Sequence, residues 1–228
     1  MPVLKCLVVV SVLAVFPIPM VYSTECHLRE LDLCLTSAAS IKAVPVNDDE
    51  IDKYCNLIRE AIECLSAYVK KCATPMQREV IAFFTGRGFI EQGEKFCTKG
   101  DELRNNYLEQ APCLAKAQID GKRCMNDSQV AFEKFEEVPF QNKITFVCCV
   151  YARYKKCSHD IIEATCGVKA VESSNTMIRL LSSNLIPTVC YGFDSNPSCA
   201  SLLPPAGTSP KNNGKSVVSK LISAYVRS

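Results

Sequence analysis

The sequence predicts an all-α fold in which disulfide bonds join the helices. Two long stretches place apolar residues and cysteines at helical spacing, and no segment alternates polar and apolar residues between hairpin-turn signals. Without a predicted leader peptide the chain has 14 cysteines, an even number. In an oxidising compartment this count indicates seven disulfides, so we expect a disulfide-rich helical bundle over residues 24–202.

Residues 1–23 have the features of a secretory signal peptide. Lys5 supplies the positive charge, residues 7–16 form an apolar run, and cleavage is predicted after Ser23. A membrane anchor is disfavoured because a span needs roughly 20 apolar residues and Pro17 interrupts this run. We therefore expect a secreted, extracellular protein with no transmembrane anchor.

Composition excludes several classes of function. The 26 Lys and Arg nearly balance the 24 Asp and Glu, which gives no electrostatic basis for binding nucleic acid. Two histidines are too few for a His-based metal site, and no cofactor is expected. The chain is 48% hydrophobic, which indicates a folded protein.

All cysteines outside the leader are expected to form disulfides, and no C-x-x-C pair suggests zinc or iron–sulfur ligation. They are Cys26, Cys34, Cys55, Cys64, Cys72, Cys97, Cys113, Cys124, Cys148, Cys149, Cys157, Cys166, Cys190 and Cys199.

Helix geometry limits how these cysteines pair. We name the helix that ends at Cys72 the first post and the helix predicted over 142–166 the second post. Cysteines eight or nine residues apart on a helix are separated by roughly 12–13 Å along its axis. A disulfide needs Cα atoms within about 7 Å, so cysteines of one post cannot bond to each other. We expect most bonds to join a post to a segment outside it; the individual pairs stay open.

The N-terminal elements are a short helix over 25–40 and the first post. Asp48, Asp49 and Glu50 begin the post, where negative charge is stabilising. Its apolar stripe, predicted to be buried, is Ile51, Cys55, Ile58, Ile62, Leu65, Val69 and Cys72.

Prolines, glycines and capping residues delimit the remaining helices. One predicted helix begins at the capping box of Thr74 and Gln77, runs to Phe84 and breaks near Gly86 and Gly88. A helix over 101–110, stopped or kinked at Pro112, is followed by a short helix that is capped by Asp127 or Ser128 and runs to Val138. The second post is capped by Gly167, and a helix over 168–185 then ends before Pro187. Residues 203–228 are predicted to be a flexible Pro/Gly-rich tail that ends in a short amphipathic helix over 216–228.

A shift of 93 residues aligns Cys55, Cys64 and Cys97 with later cysteines. One interpretation is a duplicated helical unit, with copies at 34–113 and 124–199, which would leave Cys26 and Cys149 as an extra pair. The other is coincidence, because cysteine-only matches are easy to find.

Few residues suggest chemistry. His159 and Asp160 follow the Cys148-Cys149 doublet, but too far along the helix for a phospholipase-type site, and His27 lies beside Cys26. Both histidines are interpreted as surface or capping residues, and no catalytic or metal-ligating residue is assigned. Asn126-Asp127-Ser128 is an acceptor for N-glycosylation, expected at Asn126 in a polar loop between helices.

The leader, the cysteine-bearing posts, the Cys148-Cys149 doublet and the closing Cys190 and Cys199 resemble secreted arthropod proteins of the haemolymph-glycoprotein kind and related nematode cysteine-rich helical domains. The resemblance covers about residues 24–200. It implies an extracellular, non-enzymatic protein and transfers no binding residue.

Three functions are compatible with these features. The leading hypothesis is a stable secreted protein, not an enzyme, that acts through its surface on an unknown protein partner, in a body fluid or in a secretion such as silk, glue or venom. The first alternative is a carrier of a hydrophobic ligand, although the C-x₃-C helix of insect odorant-binding proteins is absent. The second is a toxin or protease inhibitor.

Overall fold

The computed structural model describes Cys26, Glu30, Leu33, Cys34 and residues 43–84, 87–182 and 185–211. Every regular element within them is helical, which confirms the all-α prediction. The helices are α1 Asp48–Cys72, α2 Pro75–Phe84, α3 Arg87–Cys97, α4 Glu102–Glu133, α5 Lys143–Cys166, α6 Val168–Ser182, α7 Leu185–Val189 and α8 Ser198–Leu202, with single 3₁₀ turns at Phe135–Glu137, Phe140–Asn142 and Phe193–Ser195.

The predicted leader over 1–23, His27 and the tail helix over 216–228 lie outside the described residues. Glu30, Leu33 and Cys34 are helical, within the helix predicted over 25–40. Cys26, which the prediction also included, is not helical, and the other residues of 25–40 lie outside the described ones.

The first post is α1, and its N-terminus is closed by reciprocal hydrogen bonds. The Glu50 backbone N–H donates to Asn47 Oδ1 at 2.9 Å, and the Glu50 carboxylate accepts from the backbone of Val46 at 2.8 Å. Ile51, Cys55 and Leu65 are buried as predicted, whereas other members of the apolar stripe are only half-buried. The fully buried face also includes Tyr54, Ala61 and Tyr68.

Of the next two helices, α2 was predicted from the sequence and α3 was not. The backbone N–H of Thr74 donates to Gln77 Oε1 at 2.9 Å and that of Gln77 to Thr74 Oγ1 at 3.3 Å, so the capping box forms and α2 begins at Pro75. Helix α2 ends at Phe84, as predicted, but the sequence did not predict α3, which includes Gly88. Burial of Phe96 and the bond from Cys97 to Cys55 stabilise this glycine-containing helix.

Helix α4 replaces two predicted short helices. Asp101 caps it through a 2.8 Å hydrogen bond from the Leu103 backbone, and it continues through Pro112 to Glu133. Proline removes one backbone hydrogen bond, but Ala111 and Leu114 are buried beside it and hold the helix in place. Asp127 and Ser128 are therefore interior helix residues and not an N-cap.

The second post is α5, which begins one residue later than predicted and ends at Cys166 before Gly167. Gly167 has a φ of 84°, and its backbone N–H donates to Glu163 O at 2.9 Å. The helix predicted over 168–185 is α6, which begins at Val168 and ends at Ser182, before Pro187 as predicted. The short helix α7, which contains Pro187, was not predicted. Pro187 lies in the first turn of α7, where backbone N–H groups lack helical partners in any case.

Helix α5 lies at the centre of the described fold, with α4, α6 and α8 packed around it. Three apolar clusters of the described residues lie along α4, and the third of them contains Ala117, Cys124 and Ile161. The first contains Tyr54, Phe96 and Tyr107, whose rings make edge-to-face contacts at 6.2 and 5.2 Å. The second contains Phe132 and Phe146.

All fourteen cysteines that follow the predicted leader are paired. The seven bonds are Cys26–Cys72, Cys34–Cys64, Cys55–Cys97, Cys113–Cys166, Cys124–Cys157, Cys148–Cys190 and Cys149–Cys199. Each joins one cysteine of a post to one outside it, as the helix geometry predicts. The suggested pairing of Cys26 with Cys149 is wrong.

The connectivity itself repeats. We define the first cysteine set as the six from Cys26 to Cys97, and the second cysteine set as Cys113, Cys124, Cys148, Cys157, Cys166 and Cys190. In each set the first cysteine bonds to the fifth, the second to the fourth and the third to the sixth. Units at 34–113 and 124–199 would divide Cys26 from Cys72 and Cys113 from Cys166. Superposition of those two ranges stays a prediction.

Candidate functional site

A cavity of about 120 Å³ lies between α1, α4, α5, α6 and the segment before α1. Most of its lining is apolar, with Leu114, Ala117, Ile161 and Met177 among the wall residues. Among the described residues that line it, Lys122 is the one with a formal charge, and its side chain is exposed. The cavity therefore suits an apolar group, with a cation on its solvent side.

Residues 43–46 form one wall of this cavity and are fixed by hydrogen bonds. The Val44 backbone donates to Gln118 Oε1 at 3.1 Å, and the Tyr107 hydroxyl donates to Pro45 O at 2.9 Å. Both partners lie on α4, so this helix holds the wall segment while lining the cavity itself.

A larger cleft of about 780 Å³ lies between α5 and residues 193–206. Cys149–Cys199 joins its two sides, and the Arg153 guanidinium donates to Pro204 O at 2.6 Å and to Asp127 O at 3.1 Å. Burial lowers the pKa of Arg153 below its ordinary value. The cleft is therefore a braced surface feature and not a gap between loose segments.

Charged side chains of both signs line the cleft. Lys155 contacts Asp194 at 3.3 Å, and Lys156 contacts Asp160 at 2.8 Å. His159 also lines it, with Nε2 at 2.7 Å from Asn175 Oδ1, a hydrogen bond that joins α5 to α6. This mixed-charge surface is suited to contacts with a polar protein surface.

The first part of the predicted flexible tail is attached to the same region. Pro204 is buried, the Gly207 backbone donates to Asp127 Oδ1 at 2.7 Å, and the Lys211 backbone donates to Glu133 Oε2 at 3.0 Å. Residues 203–211 thus follow the surface of α4 and α5.

Asn126, the predicted glycosylation site, lies inside α4 and not in a loop between helices. The correction follows from the continuity of α4 through this region. Its Oδ1 is buried without a hydrogen-bond partner, two residues from the buried Cys124. Glycosylation of Asn126 stays a prediction.

Among the described residues, no group of three or more His, Cys, Asp and Glu side chains is arranged to hold a metal ion. In the same part of the chain, no helix has the length and hydrophobicity needed to cross a bilayer. Comparison with protein-family models, curated proteins and solved structures finds no match to this chain.

Sequence patterns selected the cysteines and His159 near these sites but missed the cavity. The sequence does contain a pattern that indicates the cavity, but the pattern becomes visible only if α4 is one helix that continues through Pro112. Residues then recur on one face at spacings of three and four, and most of them line the cavity. They are Tyr107, Ala111, Leu114, Gln118, Gly121 and Met125.

Proposed function

We propose that this chain is a secreted, extracellular, non-enzymatic protein that acts through its surface, in a body fluid or in a gland secretion such as silk, glue or venom. The observation that supports the proposal most is the set of seven disulfides, which cross-link both posts to the segments around them. Such bonds persist in oxidising compartments outside the cytosol. The resemblance to haemolymph-glycoprotein-like proteins supports the same proposal.

The cross-links exceed what a chain of this size needs in order to fold. The seven bonds connect residues 30 to 53 positions apart. Each contributes about 2–4 kcal/mol by restricting the unfolded chain, although the contributions do not add. Persistence in a protease-rich or drying medium is the use we propose for this excess.

The cleft beside α5 is the surface that we propose for contact with a protein partner. Its walls are fixed by a disulfide and by Arg153, so little conformational freedom is lost on binding. Its lysines and carboxylates offer complementary contacts to a partner surface of mixed charge.

Expression of the full chain in insect cells tests the proposal of secretion. We expect the protein in the medium, with Thr24 as its first residue and no titratable thiol in the denatured, unreduced protein. A matched Asn126→Gln variant shows by its mobility after glycosidase treatment whether Asn126 is modified. The proposal is contradicted if the protein stays inside the cell with its leader uncleaved, or if the purified protein has several free thiols.

A second candidate function, a carrier of hydrophobic small molecules, is favoured by the apolar cavity between α1, α4, α5 and α6. Native mass spectrometry of protein purified from the medium tests it. A reproducible mass added to the folded protein and lost on denaturation supports a carrier. An empty protein that binds no hydrophobic probe argues against one.

A further inference from the structure

We infer that the cavity binds a small aromatic carboxylate, with the ring enclosed between the helices and the carboxylate at Lys122. This inference rests on the carrier function proposed above and names its ligand class. Three properties of the site carry it: the cavity volume, the chemistry of its lining and the position of its cation.

The volume limits the ligand to about one ring. An engineered apolar cavity of about 150 Å³ holds benzene, whereas sites for drug-sized ligands measure about 300–1,000 Å³. At about 120 Å³ this cavity belongs with the former. A long acyl chain would not be enclosed.

The lining favours an aromatic group over an aliphatic one. Tyr54, Tyr107 and Tyr154 contribute to the walls, together with Met125 and Met177. Aromatic rings prefer edge-to-face or offset contacts with other rings, and methionine sulfur makes favourable contacts with ring edges. The cavity therefore offers a ring both types of contact.

The cation selects a carboxylate. Lys122 is on α4 next to Gly121, and both residues line the cavity. Because the Lys122 side chain is exposed, an anion paired with it keeps part of its hydration. A ligand with an apolar ring and a terminal carboxylate can occupy the cavity while its charge stays at the solvent side.

Gly121 provides a way to block the site from the same helix. No atom of another element or side chain lies within 4 Å of the position that a Cβ would take at Gly121, so a side chain can begin there without a clash at its first atom. Gly121→Phe is expected to occupy the cavity mouth, and Gly121→Ala is its control because one methyl group fills little of that space.

Two probes, phenylacetate and toluene, separate the contribution of the apolar cavity from that of Lys122. Each is titrated into the disulfide-bonded full chain, and binding is followed by ligand-observed NMR. We expect both probes to bind, phenylacetate more tightly. Lys122→Gln should weaken phenylacetate by about two- to fivefold, the range of an exposed ion pair, and leave toluene unchanged. Lys116→Gln, an exposed lysine of α4 that does not line the cavity, should change neither.

Gly121→Phe should abolish binding of both probes, while Gly121→Ala retains it. Circular dichroism and thiol titration verify that each variant is folded and fully oxidised. The inference is overturned if wild type binds neither probe, if Gly121→Phe leaves their affinities intact, or if Lys122→Gln weakens both equally. Palmitate bound by a protein that ignores both small probes would also overturn it but would leave the carrier function standing.

Discussion

The two cysteine sets have the same connectivity but lie in different surroundings. In the second set the post is α5, which is enclosed by α4, α6 and α8, and Cys124 and Cys148 are each 1% exposed. In the first set the post is α1, which packs on α3, and Cys64 is exposed. The two sets therefore share one order of pairing although their posts are enclosed to different degrees.

The second post also has a redundant cross-link. Cys148–Cys190 and Cys149–Cys199 begin at adjacent residues of α5 and end nine residues apart. While one of them is intact, the other closes only a small additional ring in the unfolded chain. Cys55–Cys97 has no such neighbour among the bonds of the first set.

The largest expected effect comes from removing matched bonds of the two sets. Cys55–Cys97 and Cys148–Cys190 each span 42 residues, so isolated loops would lose the same chain entropy. Cys55→Ala/Cys97→Ala should lower the free energy of unfolding by about 4 kcal/mol. Cys148→Ala/Cys190→Ala should lower it by about 3 kcal/mol, because the intact neighbour leaves a ring of roughly a dozen residues. Guanidinium denaturation of the unreduced proteins measures both.

The control is the same pair of removals in a Cys149→Ala/Cys199→Ala background. There the redundancy is gone, and the two losses should become equal within about 0.5 kcal/mol. A larger loss from Cys148→Ala/Cys190→Ala in the original background would show that burial of these two cysteines outweighs redundancy.

The sequence predicted the two posts better than the segment between them. Helical periodicity located both posts to within a residue, since each carries a long stripe that ends in a cysteine. In the segment between them, the continuity of α4 through Pro112 and the whole of α3, which contains Gly88, were missed because local propensity opposes a helix there. Burial of Ala111, Leu114 and Phe96 by distant residues outweighs that propensity, and a local pattern does not report it.

The candidate sites could be predicted less well than the fold. The cavity is formed by side chains of four helices that are distant in sequence, and its lining on α4 becomes visible only after Pro112 is accepted inside that helix. The cleft depends on residues 193–206, whose position is fixed by Cys149–Cys199. Spacing restricted the cysteine pairs but did not identify them.

A second comparison concerns two buried or half-buried arginines. Arg104, which lies on α4 and contacts the first post, is fully buried and bonds to Asp48 Oδ1 at 2.5 Å, to Asp52 Oδ1 at 2.9 Å and to Cys97 O at 3.2 Å. The half-buried Arg153 of α5 bonds to two backbone oxygens. Arg104→Met should lower the free energy of unfolding by about 1–3 kcal/mol.

Arg153→Met should cost less, about 0.5–1.5 kcal/mol, because its bonds are to neutral carbonyls and its site is more exposed. Thermal unfolding of both variants, with Arg59→Met on the exposed face of α1 as the control, checks the order. If all three variants lost the same stability, the two arginines would not differ in how much they stabilise the fold.

Smaller, stabilising effects are expected at two helical glycines. Gly93 in α3 and Gly121 in α4 have open space where a Cβ would lie. Alanine at either site should raise the free energy of unfolding by about 0.5–1 kcal/mol, because glycine loses more backbone entropy on folding. Gly100→Ala is the contrasting control, since its φ of 82° strains an L-residue. A gain at Gly121 without one at Gly93 would show that α3 opens before the core unfolds.

The smallest expected effect is a dependence on pH in the first region. Hydrogen bonds from Lys99 and Arg104 lower the pKa of Asp52 below its ordinary 3.8, and the same carboxylate raises the pKa of Lys99 above its ordinary 10.5. The Asp52 contribution to stability is fully present above pH 3.8 and is lost as the pH falls through the lowered pKa. The Lys99 contribution is fully present below pH 10.5 and is lost as the pH rises through the raised one.

Asp52→Asn and Lys99→Gln should therefore be less stable than wild type between these limits and approach it outside them, Asp52→Asn in acid and Lys99→Gln in base. Urea denaturation at a series of pH values measures the differences. Asp160→Asn removes the exposed Lys156–Asp160 pair of the second post and serves as the control. A constant difference for Asp52→Asn down to the most acidic pH would show that its effect arises from packing and not from charge.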